Sequence, residues 1–220
     1  MKKINVITLG CSKNTVDSEH LMAQLAAAGY KLEHDSDRTD ADVVVINTCG
    51  FIGDAKQESI DTILSAVRAK EEGNIERLFV IGCLSERYAD ELREEIPEVD
   101  EYFGVNDWAD IVAALGGTHS EELAIERVLT TPSHYAYLKI GEGCNWRCGY
   151  CAIPLIRGPH RSVPMERCIE EAERLAAQGV RELIVIAQDP TYYGRDLYGR
   201  RALAELLEKL CKVEGIEWIR

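Results

Sequence analysis

The run Asp42-Val43-Val44-Val45-Ile46-Asn47-Thr48-Cys49-Gly50 decides the fold. Its branched apolar residues follow one another without polar alternation, which suits a strand buried on both faces of a parallel sheet. The same pattern lies on either side, at Ile4 to Leu9 and at Arg77 to Ile81. Helical patterns separate these strands: Val16 to Ala28 closing on Gly29, Asp54 to Lys70, and Glu86 to Glu95 stopping before Pro97. Tyr102-Phe103-Gly104-Val105 reads as a short fourth strand, with Trp108 to Leu115 as its helix before Gly116-Gly117. Strand–helix alternation of this kind predicts an α/β domain over residues 1–117, an open parallel sheet with helices on both faces.

Outward again, the polar stretch 118–134 reads as a linker with a short strand at Arg127 to Leu129. A second strand–helix series fills 135–220. Tyr135 to Ile140, Glu182 to Ala187 and Ile216 to Ile219 are its strands; Met165 to Ala177 and Ala202 to Cys211 are its helices. Three strands cannot close a βα barrel. The expectation is therefore the front portion of a longer protein. A chain ending at Arg220 would leave an open sheet edge, with poor solubility and little activity.

With 220 residues the chain is long enough for one large domain or two smaller ones. No apolar run reaches the length of a membrane span, and the start lacks a signal-peptide pattern, so a cytoplasmic location is expected. The net charge of −13 argues against broad phosphate-backbone binding and fits a cationic partner, such as a ribosomal protein. Eight cysteines in a reducing compartment point to metal or thiol chemistry before disulfides.

Three of those cysteines sit in Gly143-Cys144-Asn145-Trp146-Arg147-Cys148-Gly149-Tyr150-Cys151, directly after a predicted strand. The spacing also matches one face of a helix, which would make them buried packing residues. Gly141, Gly143 and Gly149 oppose a regular helix and suit a loop wrapped round a bulky ligand. Zinc would want a fourth ligand, and the only near candidate, His160, has no evident reason to turn inward. A four-iron cluster held by three thiolates leaves one iron open. An amino acid's amino and carboxylate groups can chelate that iron and bring a sulfonium beside a one-electron donor.

Cys11, Cys49 and Cys83 are far apart in sequence, yet each ends an apolar strand and precedes a helix. In a parallel sheet all strand C-termini share one edge, where ligands bind. Gly10, Gly50 and Gly82 would allow close backbone approach there. On spacing alone, a shared ligand site and three unrelated buried thiols stand level.

Cys144, Cys148 and Cys151 carry the spacing of the radical S-adenosylmethionine (SAM) superfamily. Ile153-Pro154-Leu155-Ile156-Arg157-Gly158 resembles its methylthiotransferase branch. So do Leu9-Gly10-Cys11-Ser12-Lys13-Asn14, Val16-Asp17-Ser18-Glu19, Asn47-Thr48-Cys49-Gly50 and Ile81-Gly82-Cys83-Leu84, over nearly the whole chain. The resemblance implies two [4Fe-4S] clusters, the first on Cys11, Cys49 and Cys83 and the second, SAM-binding one on Cys144, Cys148 and Cys151. It further implies a partial βα barrel, Tyr150 against the SAM adenine, and Gln188 at the point where many relatives carry a Gly-Gly-Glu contact to SAM. One SAM would methylate a sulfur on the first cluster. A second would yield the radical that removes a substrate hydrogen, and the two sites would have to face one another. Ser12-Lys13-Asn14 and Ala187-Gln188-Asp189-Pro190-Thr191-Tyr192-Tyr193-Gly194 are most similar to the ribosomal-protein branch. That branch implies an aspartate of small-subunit ribosomal protein number twelve as target and an electron donor such as flavodoxin or ferredoxin. A C-terminal TRAM domain would follow in a full-length member. A tRNA adenosine substrate and a non-enzymatic iron–sulfur protein are the alternatives.

Among other residues, Cys168 and Cys211 are expected to be packing residues inside amphipathic helices, and Trp146 to shield the cluster. His20 and His34 are expected at the surface, and Arg157 and Arg161 in solvent.

Overall fold

Five strands, β1 (Lys3–Thr8), β2 (Lys31–His34), β3 (Val43–Thr48), β4 (Arg77–Gly82) and β5 (Glu101–Tyr102), pair in parallel in the order β2-β1-β3-β4-β5. The central run β3 is buried throughout, with β1 on one side and β4 on the other. Its side chains alternate between two cores, as the period of a strand requires. Val43 and Val45 pack with α1 (Ser12–Ala27) and α4 (Trp108–Ala114) through Leu21, Leu25, Ile111 and Val112. Val44 and Ile46 pack with α2 (Gly53–Glu71) and α3 (Cys83–Glu95) through Ile63, Val67 and Leu92. This continuous apolar run is therefore a strand with two buried faces.

The computed structural model describes residues 2–37 and 41–220. Contacts divide the chain into two units, 1–124 and 125–220. In the second, β6 (Tyr135–Lys139), β9 (Glu182–Ile186) and β10 (Trp218–Ile219) form a parallel sheet in the order β10-β9-β6. A two-stranded antiparallel ribbon, β7 (Gly141–Glu142) with β8 (Arg161–Ser162), brackets the first half of this unit's loops. The helices are α5 (Ile153–Ile156), α6 (Met165–Ala177), α7 (Arg195–Tyr198) and α8 (Leu203–Leu210). Leu138, Leu175, Leu183, Leu206 and Leu210 make its core. Strand–helix–strand repeats of this kind open a βα barrel. Among the described residues, no helix is long and apolar enough to cross a membrane.

The stretch expected as a linker makes packed contacts with both units' elements, each within its own unit. Ser120 exchanges hydrogen bonds with Gln24 of α1. Arg127, expected on a short strand, lies outside the strands of the described residues; its guanidinium is buried, 3.1 Å from Glu171 of α6, and also donates to the Tyr137 carbonyl oxygen. A charged pair taken out of water there anchors the entry to β6.

Burial pushes the Glu171 carboxyl above the usual carboxylate range, and Arg127 pulls against that shift. Arg127→Met would leave a buried carboxylate without its counter-charge, at a cost of about 3–5 kcal/mol. Losing Arg127 raises the folded-state pKa further, so the deficit should grow as pH rises above the ordinary carboxylate range, past the parent's already raised folded-state pKa. Hydrogen exchange of the β6 amides at two pH values checks both the size and the sign.

Candidate iron–sulfur sites

Gly10 and Cys11 follow β1, Cys49 follows β3 directly, and Cys83 follows β4 directly as the first residue of α3. Because β1, β3 and β4 are parallel neighbours, their C-terminal loops lie side by side. The loops also touch. A Cβ on Gly10 would stand 2.7 Å from Cys49 Cβ and 3.0 Å from its Sγ, and one on Gly50 would stand 2.7 Å from the Cys83 carbonyl oxygen. Gly10 and Gly82 adopt φ of +96° and +99°, a left-handed turn that a side chain resists. These glycines let three cysteine loops close on one another.

Ser59, fully buried on α2, fixes the middle loop. Its hydroxyl accepts from the Cys49 amide at 3.0 Å and lies 3.2 Å from the Cys49 carbonyl oxygen. The sequence carried no sign of this role, because a serine in a helical pattern reads as ordinary. Phe51 and Ile52 beside Cys49 are 44% and 55% exposed, an apolar rim next to the thiols.

In the second unit Cys144, Cys148 and Cys151 lie on the loop between β7 and α5. The loop forms no helix across the three thiols, which disposes of the packing-stripe alternative. Arg147 has φ +48°, and the Cys151 amide donates to the Cys148 carbonyl oxygen at 2.9 Å, closing a turn. The loop's two ends meet. The Cys144 amide donates to the Gly158 carbonyl oxygen at 3.1 Å, and a Cβ on Gly143 would collide with Pro159.

Two expectations are corrected here. Arg157 is not solvated: it is 1% exposed and pairs with Glu142 at 2.9 Å, where Lys139 also meets the same oxygen at 3.0 Å. Glu142 precedes Gly143 and Cys144, so this charge network secures the loop's entry against its exit. His160 does turn inward. It is 5% exposed, within 3.0 Å of the Ser162 hydroxyl and edge-on to Tyr192. Neither inward turn is legible locally, since each depends on a partner brought by the β7–β8 ribbon. Arg161 is exposed, as expected.

The loop is also tied to the segment after β9. Trp146 donates to Asp189 at 2.5 Å, and Asn145 bridges Tyr192 and the His160 amide. Burial works to raise the Asp189 carboxyl, but hydrogen bonds from Trp146 and Thr191 outweigh it and hold the group below its usual range. Trp146 is 56% exposed, and Tyr150 is 92% exposed. Gln188 is half-buried immediately before Asp189. Cys168 is fully buried on α6, whereas Cys211 is exposed at the end of α8, contrary to the packing role expected for it.

All eight cysteines are free thiols. Among the described residues, no three His, Cys, Asp or Glu side chains are gathered closely enough to hold a single metal ion. A four-iron cluster is larger than one ion, and its thiolate ligands stand correspondingly farther apart.

Residues 3–104 match the model of uncharacterized protein family UPF0004, and residues 138–220 match the radical SAM superfamily. The chain is 58% identical, over 99% of its length, to a protein of Phocaeicola vulgatus named ribosomal protein uS12 methylthiotransferase RimO. Relatives of that name from Bacteroides thetaiotaomicron and Christiangramia forsetii are each 57% identical, over 100% and 99% of the chain. The chain thus joins a UPF0004 region to a radical SAM region, and over nearly its whole length it is similar to proteins named ribosomal protein uS12 methylthiotransferase RimO. It spans about half the length of these relatives, between 48% and 50%.

Solved structures share the fold of this chain at low identity. The cobalamin-dependent SAM radical enzyme OxsB superposes with a TM-score of 0.61 at 13% identity, over 99% of this chain and 38% of its own. The radical SAM methyltransferase TsrM from Kitasatospora setae gives 0.59 at 12%, over 95% and 51%.

The radical SAM match and the RimO-named relatives imply SAM and [4Fe-4S] clusters, and the donor sets fit. Among the described residues each candidate set offers three free thiols, on loops that glycines allow to close tightly. Burial pushes the Cys168 thiol up to about 12, so it stays protonated and shielded at neutral pH. In iron-free folded chain, iodoacetamide at mildly alkaline pH should label Cys11, Cys148 and Cys211 and leave Cys168 unmodified by mass spectrometry. Equal labelling of Cys168 would mean that α6 does not pack as described.

Proposed function

We propose that this chain forms the cluster-binding part of a methylthiotransferase acting on an aspartate β-carbon of ribosomal protein uS12. One observation carries the reading. One set of three thiols follows the parallel strands β1, β3 and β4 and the other lies on the single loop after β7, in a chain 57–58% identical to proteins named for that activity.

Cys11, Cys49 and Cys83 hold the first cluster, and Cys144, Cys148 and Cys151 hold the second. When bound, the second cluster supplies an open iron for SAM and the electron that cleaves it. The chain's own residues arrange this chemistry. Arg157 and Glu142 set the loop's closure, and Trp146 and Asn145 tie it to the segment after β9. The exposed ring of Tyr150 is available to lie against adenine, and Gln188 would meet the SAM amino group. A net charge of −13 favours a cationic ribosomal protein over a nucleic acid as substrate. A flavodoxin or ferredoxin donates the electron, in the cytoplasm.

Anoxic reconstitution with iron, sulfide, dithionite and SAM should release methionine and 5′-deoxyadenosine. Cys144→Ala should abolish that release, while Cys211→Ala leaves it unchanged. Release by Cys144→Ala equal to the parent would refute the assignment of the SAM-binding cluster. In cells lacking the gene, mass spectrometry of uS12 should lose the methylthio mass; loss from tRNA instead would redirect the substrate.

A further inference from the structure

Asn14 lies beneath the first set of thiols with no solvent exposure. Its side-chain amide donates to the Leu9 carbonyl oxygen at 2.8 Å and to the Thr48 carbonyl oxygen at 3.0 Å. Two carbonyl acceptors fix which end of the amide carries the nitrogen, so Oδ1 faces the remaining loop, where the Cys83 thiol lies 3.9 Å away. One side chain thus reaches the loops that follow β1, β3 and β4. Leu9 is two residues before Cys11, and Thr48 is the residue before Cys49.

A second asparagine backs the first. Asn47 Nδ2 donates to the Asn14 carbonyl oxygen at 3.1 Å and to Ser18 Oγ at 3.0 Å. Its Oδ1 packs where a side chain on Gly82, next to Cys83, would sit. Ser18 accepts in turn from Thr8 at 2.8 Å, and His34 lies 3.1 Å from Thr8. Polar groups buried at this density hold one arrangement, because each displaced partner is left unpaired.

We infer that Asn14 is a positioning residue for the first cluster, setting the mutual placement of Cys11, Cys49 and Cys83 by tying their three loops at one side chain. The inference rests on the two-cluster reading above. An aliphatic residue at 14 would take the amide donor from the Leu9 and Thr48 carbonyl oxygens and free the loops to part. Aspartate has the same shape but no amide donors, and it brings negative charge beside Cys83.

The test uses this chain with Cys144, Cys148 and Cys151 changed to alanine, so that reconstituted iron reports on the first set alone. Asn14→Ala should lower bound iron per chain at least twofold. Asn14→Asp should bind less iron than the parent, and its cluster should show an altered electron paramagnetic resonance spectrum and a more negative midpoint potential. Asn5→Ala is the control. Asn5 is also buried on this sheet, bonded to Ser36 at 2.9 Å away from the thiols, so its loss costs stability alone and should leave iron and potential at parent values. Thermal melting of the iron-free chains matches the variants for stability. If Asn14→Asp folds and equals the parent in iron and potential, or if Asn5→Ala loses iron to the same extent as Asn14→Ala, the inference fails. A parent that binds no iron overturns the two-cluster reading and this inference with it.

Discussion

Parallel pairing of β1, β3 and β4 is the constraint on which the first site depends. Residues 11, 49 and 83 share no local motif, and only adjacent strands running the same way bring their loops together. The apolar runs that stabilise the sheet therefore also define the site. Every residue of β3 before Cys49 is buried, and the thiol emerges where the chain leaves the core. Loops at such an edge carry function because the strands beneath them hold their positions.

The second unit solves the same problem locally. Its thiols arrive on one loop, and the difficulty is to hold that loop open around a large ligand without a helix. The structure answers with closure at the base. Buried Arg157 pairs with the partly buried Glu142, Cys144 bonds to Gly158, and the β7–β8 ribbon joins the two ends. The middle of the loop remains exposed around Arg147, Cys148 and Gly149. A buried ion pair contributes little net stability but costs heavily when broken on one side, which suits a fixed loop geometry.

Much of this was legible in the sequence, and the reasons differ by element. Val43 to Ile46 announced a doubly buried strand, and the glycines beside Cys11, Cys49 and Cys83 announced close approach. The edge strand β2 was missed because Lys31-Leu32-Glu33-His34 carries a single strongly apolar residue and pairs on one side only. The ribbon β7–β8 is two residues long on each side, too short for any periodicity to show. Arg157 and His160 were misread as outward-facing because a charged or titratable residue in a loop is usually solvated. Their burial depends on Glu142 and Ser162, which lie on the two strands of that unseen ribbon. Asn14 stood in a motif ahead of the predicted helix and Ser59 inside a helical pattern, and only the folded sheet shows what they hold.

The central claim is that each set of three thiols carries a four-iron cluster and that the second leaves one iron open. Mössbauer spectroscopy of the chain reconstituted anoxically with iron-57 tests it directly. Adding SAM should change the signal of one iron in the cluster lost on Cys148→Ala, and that change should be absent from the Cys148→Ala chain. Tightly bound zinc in place of iron, or a spectrum indifferent to SAM, would contradict it.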